Sequence, residues 1–271
     1  MTSSLSVAVV ACCYRMPAAE MVHRLRGLLA EQPISVTGFV VSANQTQESD
    51  MGGGWTALPS DNVDFDFSAY FAGAEAVVKR GLSEQPVLFV NDTLFTDHAA
   101  KANFRAVWRQ LGLIRDIELP AIAGKADAYT TVCLRNPWSG LPLYVTSFCF
   151  LLNPPALALM RRLREFAEAD GVTHEHDVDS QAWGANLPGA LRQFFKAALV
   201  YRESSYLWYR LRTDNYSPAQ LKSKARCIYF EHRLSGAVGE AGCLLPSNAG
   251  PRWATYLRVA EYAQRLFGRW R

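Results

Sequence analysis

The chain has 271 residues, 49% of them hydrophobic and 20% charged, with a formal net charge of +3. That length buries a sizeable core in one large domain or two small ones, and the composition is that of a folded globular protein, not a disordered or fibrous one. The small positive charge does not argue for nucleic acid, and no apolar run approaches the length of a membrane span.

The six cysteines, Cys12, Cys13, Cys133, Cys149, Cys227 and Cys243, contain no Cys-x-x-Cys pair. Several lie in apolar runs, so buried reduced thiols in a cytoplasmic protein are expected, not disulfides or zinc. Residues 6–13 predict a first strand. No basic segment precedes the run and no clear cleavage site follows it, so a secretory signal is not expected. Met21, Val22, Leu25, Leu28 and Leu29 recur at helical spacing, and Val36 to Val41 predict a second strand beyond Pro33. This strand–helix–strand order implies parallel strands with a right-handed crossover. The second strand ends on Ser42-Ala43-Asn44. Residues 45–61, with Gly52-Gly53-Gly54, read as a flexible loop, because nothing brackets the glycines tightly enough for a phosphate cradle.

In Asn62-Val63-Asp64-Phe65-Asp66-Phe67-Ser68, Ser68 or Asp66 can cap a helix whose inner face holds Phe71, Ala74 and Val78. Asp64 and Asp66 form an Asp-x-Asp cation pattern, yet acidic groups also suit a helix start. Val87 to Val90 are apolar at every position, as in a strand buried on both faces. The run ends on Asn91-Asp92-Thr93. In an open α/β sheet, ligands gather outside the carboxyl ends of strands. Asp92 is therefore expected at the mouth of a cleft, on a divalent cation or a sugar nucleotide, with a plain Asp turn as the alternative.

Asp97 is a plausible cap for a helix with Phe104, Val107, Trp108 and Leu111 on one face. Ala126 to Leu134 and Tyr144 to Leu152 predict two more strands, and Asn153-Pro154-Pro155 predicts a helix start. Thr173 to Ser180 is acidic and contains His174 and His176, in no strong zinc spacing. It reads either as a solvated loop capping the next helix or as an acceptor-side loop in which Asp179 or Asp177 is a base. Cys227 to Phe230 reads as a short strand, followed by His232 and Arg233, which can approach a diphosphate or its cation. Tyr201 to Arg212, aromatic and basic, suits sugar stacking or a membrane surface. From Pro251 a basic, aromatic, amphipathic helix is predicted. Such a stripe packs on its own domain, on a second subunit in a homo-oligomer, or peripherally on the inner membrane.

Asn62…Asp66-Phe67-Ser68 before a helix and Leu88-Phe89-Val90-Asn91-Asp92-Thr93-Leu94-Phe95 at a strand end together resemble bacterial surface-polysaccharide glycosyltransferases of the rhamnan-synthesis type. Members of that group carry a pattern similar to Asn-x-Gly-x-Asp-Phe-Gly before a helix and Asn-Asp-Ser at a strand end. Here Asp64 and Ser68 stand where glycines are usual, and Thr93 stands for Ser. The resemblance spans residues 5–155. It implies an α/β fold of GT-A-like type, an open, mostly parallel sheet flanked by helices with a helical C-terminal part. Residues 1–155 would form the nucleotide-sugar donor half, 156–250 the acceptor side of the same domain, and 251–271 the basic helix.

The implied activity is transfer of a sugar from a nucleotide-sugar donor to a glycan or lipid-linked glycan. The acceptor would be a cell-envelope polysaccharide or lipopolysaccharide, met in the cytoplasm at the inner face of the membrane. Asn44, Asn62, Asp66, Asn91 and Arg233 would shape the donor site. Asp92 and His232 would hold magnesium or manganese against the leaving diphosphate, and Asp179 or Asp177 would deprotonate the acceptor if the reaction inverts. A sugar-phosphate nucleotidyltransferase is one alternative, although Cys12-Cys13-Tyr14-Arg15-Met16-Pro17 lacks the glycine-rich loop it would need. A non-catalytic carbohydrate-binding or assembly protein with the same fold is another. No nucleic-acid partner is expected.

Overall fold

The computed structural model describes residues 6–129, 135–200, 216–250 and 255. In the first half of the chain the elements are β1 (Ser6–Cys13), α1 (Ala18–Leu29), β2 (Ser35–Ser42), β3 (Ser49–Gly52), β4 (Trp55–Pro59), α2 (Asp66–Lys79) and β5 (Val87–Asn91). Then come α3 (Thr93–Thr96), α4 (Ala100–Trp108), α5 (Leu111–Arg115), β6 (Ala121–Ala128) and β7 (Leu143–Leu152). The described chain continues through α6 (Pro154–Arg161), α7 (Leu163–Ala169), α8 (Gly189–Leu199), a 24-residue α9 (Pro218–Ala241) and β8 (Cys243–Pro246).

One eight-stranded sheet runs in the order β3-β4-β2-β1-β5-β7-β6-β8. Its centre, β4-β2-β1-β5, is parallel. β3, β7 and β6 add antiparallel pairings, and β8 pairs parallel with β6. The fold is thus α/β with an open, mixed sheet. β1 has β2 on one side and β5 on the other, so the chain winds outward in both directions from β1. β1 and β5 are buried at nearly every position because helices cover both faces. Val10, Phe39, Phe89 and Phe150 pack with α2, α6 and α9, whereas Val9, Val40, Leu88 and Leu151 pack with α1, α4 and α5. β8, from beyond residue 155, completes the sheet begun by the first half.

Several elements differ from the expected ones. Gly52, Gly53 and Gly54 all have positive φ, and they turn the β3–β4 hairpin where a flexible loop was expected. β6 begins at Ala121, five residues before the expected Ala126, and residues 130–134 lie outside the described ones. Cys227 to Phe230 lie inside α9 and not in a strand. Pro218 at its first turn and a Ser217–Gln220 capping box start that helix. Residues 225–230 are all buried, so this stretch shows no polar face and mimics a buried strand. Neither Ser68 nor Asp66 caps α2; that position falls to Phe65, at φ 50°. Asn153 caps α6 as expected and also accepts the Ala121 N–H at 2.8 Å. Among the described residues no helix is long and apolar enough to cross a membrane. The predicted basic helix at 251–271 and the stretch 201–212 lie outside the described residues, Thr255 excepted.

Gly73 lets α2 lie close against the sheet, for a Cβ there would stand 2.2 Å from Val10 Cγ1. Gly73→Ala is expected to cost about 1–3 kcal/mol of stability. The check is a lower denaturant midpoint at unchanged slope. An unchanged midpoint would mean that α2 rides farther from β1.

Candidate functional site

A cavity of about 500 Å³ opens beyond the carboxyl end of β5. The pairing of β5 with β7 stops at Val90↔Cys149, so residues 143–148 of β7 run on past it and form a wall. β6 and β7 pair Gly124 with Phe150 and then Ala126 with Val145, two residue steps on β6 against five on β7. Such an irregularity re-aims side chains, and the extra residues Thr146, Ser147 and Phe148 all line the cavity. Lys125 and Asp127 of β6 join them. The opposite wall is α9, through Lys224, Cys227, Ile228 and Glu231, spaced i, i+3, i+4, i+7 along one face. Asp66 at the start of α2, Asn91 at the end of β5, and Thr93, Asp97 and His98 complete the lining.

The polar groups are held in fixed orientations. Thr93 Oγ1 donates to Asn91 Oδ1 at 2.5 Å, and Asn91 Nδ2 donates to Asp66 Oδ2 at 2.9 Å. Cys12 Sγ donates to Asp66 Oδ1 at 3.7 Å. Burial pushes the Asp66 carboxyl above its usual range, opposed by the Lys224 ammonium. Burial pulls the Lys224 pKa down, but Cys227, Asp66, Tyr216 and Glu231 outweigh it and the net direction is up. Glu231 Oε1 accepts the Ser147 N–H at 2.6 Å. Burial still raises the Glu231 carboxyl to about 6, with Ser147 and Lys224 acting downward and Asp127 upward. On the β7 side, His98 stacks on Phe148 at 3.8 Å and the Lys125 ammonium lies 5.9 Å from the same ring. Carboxylates, amides and hydroxyls beside an aromatic face suit a polyhydroxylated ligand, and two lysines suit one that carries negative charge.

A second crevice of about 330 Å³ lies between the β1–α1 loop and the end of β2, lined by Arg15 to Ala18, Ser42, Asn44 and Gln45. Asn44 therefore stands in this crevice, whereas Asp66 and Asn91 stand in the main cavity.

Asp92 does something other than expected. Its Oδ2 accepts the N–H groups of Tyr14, Arg15 and Met16 at 2.9, 2.5 and 2.9 Å. Its own N–H donates to the Cys12 carbonyl at 3.1 Å. Successive N–H groups form a nest suited to an anion, and the Asp92 carboxylate fills it. The side chain is buried and does not line the cavity. His232 does not join it as a cation ligand. Its Nδ1 lies 2.8 Å from the Tyr129 hydroxyl, its ring lies 4.3 Å from Tyr144, and burial pushes its pKa down to about 3. Arg233 points elsewhere again, stacked between Trp138 at 4.6 Å and Phe166 at 4.2 Å beside Asp170. Helical geometry explains the spread: successive residues turn by about 100°, so of Glu231-His232-Arg233 only Glu231 faces the cavity.

The acidic loop likewise contributes no residue to the cavity lining. Exposed Asp177 pairs with Lys222 at 3.0 Å, and the Asp179 carbonyl accepts from Lys196 at 2.8 Å. Asn62 sits in a turn at φ 54°, its N–H on Ser60 Oγ. Asp64 is a buried structural hub, with Arg226 at 2.7 Å, His174 at 3.1 Å and Arg164 at 3.3 Å. Among the described residues no group of three or more His, Cys, Asp or Glu is arranged to hold a metal. With Asp92 filling a backbone nest and His232 enclosed by aromatic rings, these residues do not fit the expected magnesium or manganese site.

Comparisons with protein-family models and with curated proteins found no match.

Asp92→Ala is expected to destabilise the protein by about 3 kcal/mol or more, because three N–H groups lose a charged partner. Denaturant unfolding without any ligand checks this. Near wild-type stability would contradict the anchoring role.

Proposed function

We propose that the protein is a glycosyltransferase with a GT-A-like fold, moving a sugar from a nucleotide-sugar donor to a cell-envelope glycan. The observation that carries this reading is one juxtaposition. A cavity lined by Asp66, Asn91, Phe148, Lys125 and Lys224 lies beyond β5, and a second crevice lies at the ends of β1 and β2. Both border the point where the sheet's strand order reverses, the usual ligand site of an open α/β sheet.

Transfer breaks the anomeric C–O bond, and negative charge develops on the departing nucleotide. Lys125 and Lys224 supply positive charge to offset it. The Asp66 carboxylate and Asn91 amide, locked to each other, hydrogen-bond sugar hydroxyls. The stacked His98–Phe148 pair borders the sugar on the β7 side. The crevice beside Asn44 takes the nucleoside end. The acceptor, a glycan or lipid-linked glycan at the inner face of the membrane, enters from the β7 and α9 side.

Thermal-shift measurements against UDP-, GDP-, CMP- and dTDP-sugars test this reading, each run with manganese and with EDTA. One nucleotide class at about a hundredfold its Kd should stabilise by about 2.7 kcal/mol. That corresponds to a rise in Tm of roughly 5–10 °C, present in EDTA and lost in Asp66→Ala and Lys224→Met. A shift with free glycans and none with nucleotides would replace the transferase by a carbohydrate-binding protein.

A further inference from the structure

Resting on the transferase reading, we infer that Glu231 is the general base that takes the proton from the acceptor hydroxyl, and that transfer inverts the anomeric configuration. Glu231 projects into the cavity from the middle of α9, whose ends lie well away from it. Its Oε1 is held by the Ser147 N–H at 2.6 Å. The carbonyl of Ser147 accepts the Tyr70 hydroxyl at 2.7 Å, so the residue that orients the carboxylate is fixed on both sides. A rigid helix and an anchored strand thus aim one carboxylate into the space where a sugar would lie.

Lys224 lies on the same face of α9, seven residues earlier. Two helical turns are about 10 Å along the axis. That span leaves room for a sugar ring between a lysine on the departing phosphate and a carboxylate on the attacking hydroxyl. In the step, the acceptor oxygen forms the new bond to the anomeric carbon and its proton passes to Glu231 Oε2. The C–O bond to phosphate breaks on the opposite side, and its electron pair leaves with the nucleotide. No other reactant is required. Attack opposite the leaving group inverts the centre.

After burial and the Ser147 hydrogen bond, Lys224 from its own helix lowers the Glu231 carboxyl and Asp127 from β6 raises it. Lys125, Tyr144, Asp66, Asp97 and His98 line the rest of the cavity. A carboxyl raised to about 6 is mostly ionised at neutral pH and more basic than an exposed Glu, as a base requires. Activity should therefore rise with pH through about 6 and level off above it.

The test uses the full chain, the nucleotide sugar that stabilises it most, and a panel of octyl glycosides as acceptors. Glu231→Gln keeps an oxygen for the Ser147 N–H. It should melt like wild type and bind the donor within about twofold, yet lose on the order of 10²–10⁴ in kcat at unchanged donor KM. NMR of the product should show inversion. Turnover of Glu231→Gln within threefold of wild type, a retained configuration, or a wild-type rate that does not fall below pH about 6 would overturn the base assignment while leaving the transferase standing. Absence of binding to any nucleotide sugar would instead overturn the transferase, and the base with it.

Discussion

The Asp92 carboxylate holds three successive N–H groups of the β1–α1 loop, and its own N–H returns to the Cys12 carbonyl. This clasp joins the exits of β1 and β5, the two strands between which the sheet changes winding direction. On one side it sets the loop from Arg15 to Ala18 that faces Asn44 across the smaller crevice. On the other it fixes the turn that aims Asn91 at Asp66. A charge this well buried is tolerable only when its hydrogen-bond partners are complete. The loop conformation and the sheet edge therefore stand or fall together.

The second constraint is the rotation of α9. Arg226 reaches Asp64 at 2.7 Å and the Val172 carbonyl at 2.5 Å, tying the helix to the start of α2 and to the segment after α7. Once Arg226 is fixed, helical geometry decides which way Lys224 and Glu231 point. Asp64 thus contributes to the cavity without lining it: it locks a helix whose other face carries the charges. The extra residues of β7 complete the enclosure, since a regular ladder would have kept Thr146, Ser147 and Phe148 in register with β6.

Three of the four central parallel strands, β2, β1 and β5, were legible in the sequence because they are short apolar runs that end on polar residues, whereas β4 lay in the stretch expected to be a loop. The rule that ligands collect at such strand ends also pointed to Asn91, whereas Asp66 was suggested by the resemblance of Asp66-Phe67-Ser68 to a donor-site pattern. The role of Asp92 was not legible, since an acid after a buried strand looks the same whether it faces a ligand or a neighbouring loop. The place of Glu231 was not legible for a different reason. The burial of residues 225–230 erased the amphipathic signature of α9, and without helical spacing Lys224, Cys227, Ile228 and Glu231 do not form a set. Lys125 was obscured by the late expected start of β6, Asp127 lay in the expected strand without a partner to mark it, and the irregularity in β7 depends on pairing that sequence alone does not display.

Hydrogen exchange across the full chain, with and without the nucleotide sugar that binds it best, bears most directly on where the ligand sits. Slowed exchange is predicted in peptides covering Asp66, Asn91 to Thr93, Tyr144 to Phe148 and Lys224 to Glu231, together with the β1–α1 loop. Protection confined to other segments, with these four unchanged, would contradict the assignment of this cavity as the sugar site.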